Sequence, residues 1–183
     1  MKRLALLCGA MLLFAGIASA QSDTPKVEVF GGYSFAHLSA NGFGANFNGG
    51  SASVSYNPNN WLGLVADFGG YHGGADIGNA NVYSYLFGPK VAFRRGSVTP
   101  FVQALFGGAR ISGSGCADAR VRPQASCGSA SENGFATTLG GGLDWNATPH
   151  VGIRLIQAEY LMTRIASTTE NGTRISAGVV FRW

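Results

Sequence analysis

After residue 20 the sequence alternates between apolar and polar residues in a series of separate segments. A period of two is typical of β-strands with one apolar face, and repeats of about ten residues are typical of strands that cross a membrane. No later run approaches the length of a transmembrane helix. We predict strands at residues 27–38, 50–57, 61–72, 81–94, 98–112, 133–146, 150–164 and 173–183.

Two of these strands carry an irregularity. Pro89 lies inside the fourth predicted strand, where it removes a hydrogen-bond donor, so it weakens that assignment or marks a bulge. In the seventh predicted strand Arg154 and Glu159 are five residues apart, so strict alternation would place them on opposite faces of the strand. A β-bulge near Leu155 and Ile156 would place both on one face. Alternatively, Arg154 extends outward at the membrane edge.

Charged residues lie opposite the apolar faces of the predicted strands. A soluble barrel encloses its apolar residues, whereas a membrane barrel encloses its polar ones. We therefore predict an all-β fold, an eight-stranded antiparallel transmembrane β-barrel with up-and-down meander topology. The residues predicted to face its interior on this basis are Glu28, Asp67, Lys90, Arg94, Asp144, Arg174 and Arg182.

The predicted connections alternate in length. Residues 58–60, 95–97 and 147–149 form short turns, whereas residues 39–49, 73–80, 113–132 and 165–172 form longer polar connections. Outer-membrane barrels have short periplasmic turns and long outer loops. Both chain ends of an even-stranded barrel then lie on the periplasmic side.

Aromatic residues occur beside every predicted short turn. Trp61 follows one turn, Trp145 precedes another, and Trp183 ends the chain, while Phe93 and Phe101 flank the third. Aromatic residues are enriched at membrane–water interfaces. We predict that these five side chains form a periplasmic aromatic girdle.

The N-terminal segment has the three parts of an export signal. Lys2 and Arg3 precede an apolar run at residues 4–17, and residues 18–20 (Ala-Ser-Ala) form a small-residue cleavage site. We predict a signal peptide at residues 1–20, a barrel domain at residues 21–183, and export to the bacterial outer membrane.

Composition agrees with this class. Hydrophobic residues make up 46% of the chain and charged residues only 12%, whereas soluble domains carry about 25% charged residues. The net charge is +4, but the basic residues are scattered, so the sequence does not predict nucleic-acid binding.

Two cysteines remain after the predicted cleavage. Cys116 and Cys127 lie in one polar segment of a chain predicted to enter an oxidising compartment, which favours a local disulfide over two free thiols. Neither has the spacing of a metal site. The sequence also lacks a phosphate-binding loop and a dinucleotide fingerprint, so we expect no cofactor and no metal.

The sequence resembles the OmpA-type family of small outer-membrane barrels over essentially all of the mature chain. The similar segments are VEVFGGYSF (27–35), FGPKVAFR (87–94), VGIRLIQAEYLMTR (151–164) and SAGVVFRW (176–183). The resemblance implies that the terminal strand, with Phe181 and Trp183, carries the recognition signal for the barrel-assembly machinery. It also implies acid–base pairs inside the barrel among Glu28, Asp67, Lys90, Arg154, Glu159 and Arg174. Larger members add a peptidoglycan-binding domain, and we expect none after Trp183.

The architecture favours a structural or surface-interaction role for the outer loops, the longest of which contains Asp118, Arg120 and Arg122. Side chains fill a barrel of eight strands, so we do not expect a general porin. The expected partners are outer-membrane lipid, lipopolysaccharide and the assembly machinery, with a monomeric barrel and an unidentified surface ligand.

Two alternatives remain. One is a narrow channel for small solutes. The other is a lipid A-modifying enzyme, for which His37 and Ser39 lie two residues apart on one strand face, without a matching carboxylate in the sequence. His72 and His150 lack such neighbours. We therefore expect no catalytic site.

Overall fold

The computed structural model describes residues 24–40, 43–75, 78–116, 127–165 and 168–183, with residues 40, 43, 74–75, 78–80, 114–116, 127–130, 165 and 168–170 described by their backbone alone. It contains strands β1 (Val27–Ala40), β2 (Phe43–Tyr56), β3 (Leu62–Ala75), β4 (Gly78–Ala92), β5 (Val98–Cys116), β6 (Cys127–Asn146), β7 (Val151–Ile165) and β8 (Thr168–Arg182). Each strand pairs antiparallel with the next, and β1 pairs with β8 to close the barrel. The predicted eight-stranded meander is confirmed.

No helix in the described ranges is long and apolar enough to cross a membrane.

The outer ends of the strands extend further than predicted. The predicted connections at 39–49, 73–80 and 165–172 are largely strand, because pairing continues to Ala40–Phe43, Ala75–Gly78 and Ile165–Thr168. Beyond the lipid a strand needs no apolar outer face, so the ladder continues through polar and glycine residues that interrupt the alternation. The sequence pattern therefore marks the lipid-crossing part of each strand and misses its outer extension.

The β5–β6 hairpin projects beyond its neighbour β7. Its paired register runs from Val98–Trp145 at the periplasmic end to Cys116–Cys127 at the outer end. The pairing of β6 with β7 ends at Phe135–Arg164. Within the described chain, residues 127–134 of β6 therefore have a strand partner on one side only.

The irregularity in β7 is a bulge. The register shifts by one residue between Arg154 and Gln157, both toward β8 and toward β6. Leu155 and Ile156 consequently both face outward, with 51% and 48% of their surface exposed. Arg154 is 3% exposed, so the alternative in which it extends outward is wrong.

Pro89 causes no bulge. Its strand β4 keeps one register with β3 and with β5 on both sides of the proline. Pro89 points outward, and the ladder simply lacks the hydrogen bond that its ring nitrogen cannot donate.

The two faces of the barrel wall differ sharply in polarity. The outward positions expose large apolar side chains, as a lipid-facing wall requires. Examples are Tyr33, Leu64, Phe68, Phe87, Val102, Phe106, Leu139, Ile175 and Val179. The inward positions hold the buried charged residues of the described part of the chain, so the polar groups of the wall are concentrated in the interior of the barrel.

Candidate functional site

The periplasmic half of the lumen contains ion pairs centred on Glu28 of β1. Glu28 bonds to the Lys90 ammonium of β4 and lies 3.2 Å from Nη2 of Arg94 and 3.3 Å from Nε of Arg182. The side chains of Glu28 and Lys90 are each 3% exposed, whereas Arg94 is 12% exposed at the mouth of the lumen. These charges can be buried without a large free-energy cost only because each has a partner of opposite charge.

A second acidic centre is Asp144 of β6. Nε of Arg154 lies 2.8 Å from Asp144 Oδ1 and its Nη2 lies 3.2 Å from Oδ2, a two-pronged contact that fixes the guanidinium. Arg182 also reaches Oδ2, at 3.1 Å. The Arg154 guanidinium is held between the Phe30 and Phe101 rings, at 4.4 Å from each centroid, an arrangement that adds cation–π attraction.

The middle of the lumen is occupied by Arg174 of β8. Its Nη1 lies 2.7 Å from Asp67 Oδ1 on β3, and its Nε lies 2.6 Å from Glu159 Oε2 on β7. The same Nη1 donates to the Tyr71 hydroxyl at 3.1 Å. One guanidinium thus joins two carboxylates from different walls of the barrel.

Glutamine side chains connect the two halves of this network. Arg154 Nη1 donates to Gln157 Oε1 at 2.6 Å, and Gln157 Nε2 donates to Glu159 Oε2 at 2.9 Å. Gln103 Nε2 donates to the other Glu159 oxygen at 2.9 Å. Hydrogen bonds and ion pairs therefore run without a break from the periplasmic mouth to Asp67.

The outer half of the lumen is apolar, which the sequence reading missed. Ala36, Leu38, Phe47, Tyr71 and Val82 form a buried cluster there. Beside it lies a cavity of about 30 Å³ that reaches down to Arg174, with room for roughly two water molecules. The sequence did contain a signal for this apolar half. Alternation places Leu38 and Val82 on the same strand faces as charged residues nearer the periplasmic end, so both were expected to point inward.

The aromatic girdle contains four of the five predicted residues. Trp61, Phe93, Trp145 and Trp183 face outward, with 37–58% of their surface exposed. The Phe181 and Trp183 rings stack at 6.2 Å between centroids.

The placement of Phe101 in the girdle is wrong, because Phe101 is 3% exposed and faces the lumen. The sequence contained a signal for this inward position. Phe101 and Gln103 are two residues apart and therefore lie on the same face of β5, the face that points into the lumen. Space for the ring comes from Gly142 directly across on β6, where a Cβ atom would lie 2.7 Å from Phe101 Cζ.

The remaining predicted positions divide by location. His37 and His72 lie on outward positions near the outer end, and His150 is exposed in a periplasmic turn. Cys116 and Cys127 are described by their backbone alone. Residues 1–20, Asp118, Arg120 and Arg122 lie outside the described residues. No cluster of His, Cys, Asp and Glu within the described ranges could hold a metal ion.

Comparisons with known proteins agree with this architecture. The family described as "Outer membrane protein beta-barrel domain" matches residues 5–182. No curated protein matches the sequence. Among solved structures, the chain is similar to Ail, the attachment invasion locus protein of Yersinia pestis, with 19% identity, a TM-score of 0.63, and coverage of 86% of this chain and 99% of Ail.

Two further structures share the fold. Neisserial surface protein A is 19% identical with a TM-score of 0.61, covering 90% of this chain and all of that one (100%). OprG of Pseudomonas aeruginosa is 10% identical with a TM-score of 0.54, covering 89% of this chain and 99% of OprG. The match of the family model to residues 5–182 shows that the chain belongs to the outer membrane protein β-barrel domain family, and it is a small barrel of the bacterial outer membrane.

Proposed function

We propose that this protein is a surface-interaction barrel whose outer hairpin, formed by β5 and β6, binds a partner outside the cell. The observation that supports the proposal is the projection of this hairpin beyond β7. Residues 127–134 carry backbone N–H and C=O groups on an edge that has no β7 partner in the described chain. Such an edge pairs readily with an extended segment of another protein.

The filled lumen supports the same role by opposing a general pore. Ion pairs occupy its periplasmic half and apolar side chains its outer half. A hydrated ion would have to displace fixed partners of buried charges, which is costly. The protein then acts as an anchor for its outer face, with no general transport through the lumen.

A disulfide between Cys116 and Cys127 would close the hairpin. The two residues are opposite each other in the antiparallel register. Opposed residues in such a ladder have Cα atoms about 4.5–5.5 Å apart, within the range of about 4.4–6.8 Å that a disulfide requires. The cross-link would hold the edge of β6 in place for a partner.

The proposal includes a route to the membrane. We propose that residues 1–20 are removed on export and that the barrel-assembly machinery recognises the terminal strand through Phe181 and Trp183. Both side chains are exposed on the outer wall of the barrel, a position accessible to a receptor within the membrane. The mature barrel would be a monomer surrounded by outer-membrane lipid and lipopolysaccharide.

A hairpin-shortened variant tests the proposal. Ala109 and Gly134 are cross-strand partners, so residues 110–133, with nearly all of this edge, can be replaced by Asn-Gly, which forms a tight hairpin turn. The matched control replaces residues 75–78 between the partners Gly74 and Asn79. Cells displaying each chain are compared for adhesion to immobilised matrix proteins and to one another.

We expect the full chain and the control to increase adhesion over cells with an empty vector, and the shortened variant to lose that gain. Heat-dependent gel mobility verifies that every variant is folded. Equal adhesion by the full and shortened chains, or no gain by the full chain, would contradict the proposal.

A further inference from the structure

A serine, a histidine and an asparagine form a hydrogen-bonded chain on the outward face of β1 and β2. Ser39 Oγ lies 3.3 Å from His37 Nε2, and His37 Nδ1 lies 2.6 Å from Asn46 Oδ1. His37 and Ser39 share a face of β1 because they are two residues apart. Asn46 is the cross-strand partner of His37 on β2.

This arrangement fixes the proton on the imidazole. The Asn46 amide oxygen only accepts hydrogen bonds, so Nδ1 of His37 carries the hydrogen and donates it. Nε2 is then left with a lone pair directed at the Ser39 hydroxyl. A base held in this tautomer by a third group is the arrangement that activates a nucleophilic serine, and asparagine serves as the third group in some hydrolases.

Two cross-strand neighbours flank Ser39. Gly44 is its partner on β2, and a Cβ atom there would lie 3.0 Å from His37 Cε1 and 3.3 Å from Nε2, so this glycine leaves room for the imidazole beside the serine. On the other side of Ser39, the partner on β8 is Asn171, whose side chain is exposed. A side-chain amide at this position is a suitable donor for an oxyanion.

The cluster lies at the level of the lipid ester groups. With a rise of about 3.3 Å per residue and a strand tilt of about 40°, Ser39 stands roughly 30 Å above Val27 at the periplasmic end. The apolar band of outer-membrane barrels is about 25 Å tall. Ser39 therefore lies just outside the apolar band, on the head-group side of the outer leaflet where the acyl esters of the lipids begin.

We propose that Ser39, His37 and Asn46 form a hydrolytic site for acyl esters of outer-leaflet lipids. Ser39 Oγ attacks the ester carbonyl while its proton passes to His37 Nε2. The bond from carbonyl carbon to alcohol oxygen breaks, and His37 returns the proton to the departing alcohol. Water then attacks the acyl-serine through His37, releasing a fatty acid and restoring the serine. Asn46 is a positioning residue that holds the imidazole.

The barrel contains its own matched control. His72 Nδ1 lies 2.8 Å from Asn81 Oδ1, an equivalent histidine–asparagine pair on β3 and β4. Ser39 lies two residues beyond His37 along β1, and the residue two positions beyond His72 along β3 is Gly74, so the second pair has glycine in place of the serine. If both pairs only form hydrogen bonds at the membrane interface, substituting either histidine should have the same effect. If the first pair carries hydrolysis, only the substitution of His37 should lower the activity.

The test uses the full chain, exported and purified from outer membranes as heat-modifiable protein. The probes are a fluorophosphonate, which labels activated serines, and a para-nitrophenyl ester of a long-chain fatty acid in mixed micelles. Ser39→Ala and His37→Ala should lower hydrolysis by about 100-fold or more and abolish labelling. His72→Ala should retain both. Asn46→Ala should lower kcat more than it raises KM, and Asn46→Asp should restore kcat because a carboxylate also accepts from Nδ1.

Two lipid analyses distinguish the sources of the ester. Mass spectra of lipid A from producing cells would show loss of an acyl chain if lipopolysaccharide is the substrate, and lysophospholipids would accumulate if glycerophospholipid is the substrate. Either result supports the site when Ser39→Ala reverses it. Folded protein that is neither labelled nor active, or labelling that persists in Ser39→Ala, would overturn the proposal. The outer hairpin takes no part in this test, so the proposed surface role stands or falls separately.

Discussion

Arg174 on β8 crosses the lumen to Asp67 on β3, where its Nη1 lies 2.7 Å from Asp67 Oδ1. These strands are not neighbours in the barrel, so the ion pair links separate parts of the wall. The two side chains are 2% and 1% exposed, which removes both charges from water. Such a pair adds little compared with an apolar filling, but removing one member leaves a buried charge without its partner.

Arg174→Met should therefore destabilise the folded barrel strongly. We expect a loss of about 3–5 kcal/mol in the free energy of unfolding, because Asp67 and Glu159 lose their shared cation. Urea-induced unfolding in lipid vesicles, followed by tryptophan fluorescence, measures this change. Arg164→Met is the matched control, since Arg164 is exposed on the outer part of β7.

The double variant Asp67→Asn with Arg174→Met tests whether the loss of stability comes from the contact between these two residues. It should lose at least about 1 kcal/mol less than the sum of the two single variants, because the residues are in direct contact. Strictly additive losses would show that the contact between Arg174 and Asp67 contributes nothing.

Phe101→Ala should cost far more stability than Phe93→Ala. Phe101 is buried in the lumen against the Arg154 guanidinium, and its removal leaves a cavity that costs about 3–5 kcal/mol. Phe93 is 58% exposed on the outer wall, so its truncation opens no cavity in the protein and loses only part of the contact with the lipid interface. The same unfolding experiment compares the two variants. An equal or larger loss of stability for Phe93→Ala would contradict the position of Phe101 in the lumen.

The wild-type barrel should be electrically silent in planar lipid bilayers. Apolar side chains such as Leu38, Phe47 and Val82 close the outer half of the lumen, and a hydrated ion has no path through them. A general porin inserted under the same conditions provides the positive control. Stepwise conductance from barrels shown to be inserted would instead favour the narrow-channel alternative.

Alkylation followed by mass spectrometry should detect a disulfide between Cys116 and Cys127. We expect neither thiol of the exported protein to react with an alkylating reagent until a reductant is added. Closing a loop of this length contributes about 3 kcal/mol in the chain-entropy description, so Cys116→Ala with Cys127→Ala should increase proteolysis of the hairpin. Ready alkylation of both thiols without reductant would contradict the pairing.

Local features of the sequence were sufficient for the fold. Alternation with a period of two identified all eight strands, because each lipid-crossing segment must expose an apolar face and enclose a polar one. The conflict between the positions of Arg154 and Glu159 indicated an irregularity and left two alternatives, of which the structure has the bulge at Leu155 and Ile156. The outer extents of the strands escaped prediction because no lipid constrains their sequence there.

The arrangement inside the barrel was decided by tertiary structure. Alternation indicates that Asp67 and Arg174 both face inward. They are 107 residues apart in the sequence, however, and the local pattern does not tell which charges meet across the closed lumen. The division of that lumen into a charged periplasmic half and an apolar outer half also depends on strand register. Hydrophobic periodicity determines which way a side chain points, whereas strand stagger and barrel closure determine which side chains it meets on other strands, such as Asn46 opposite His37 on the outer wall.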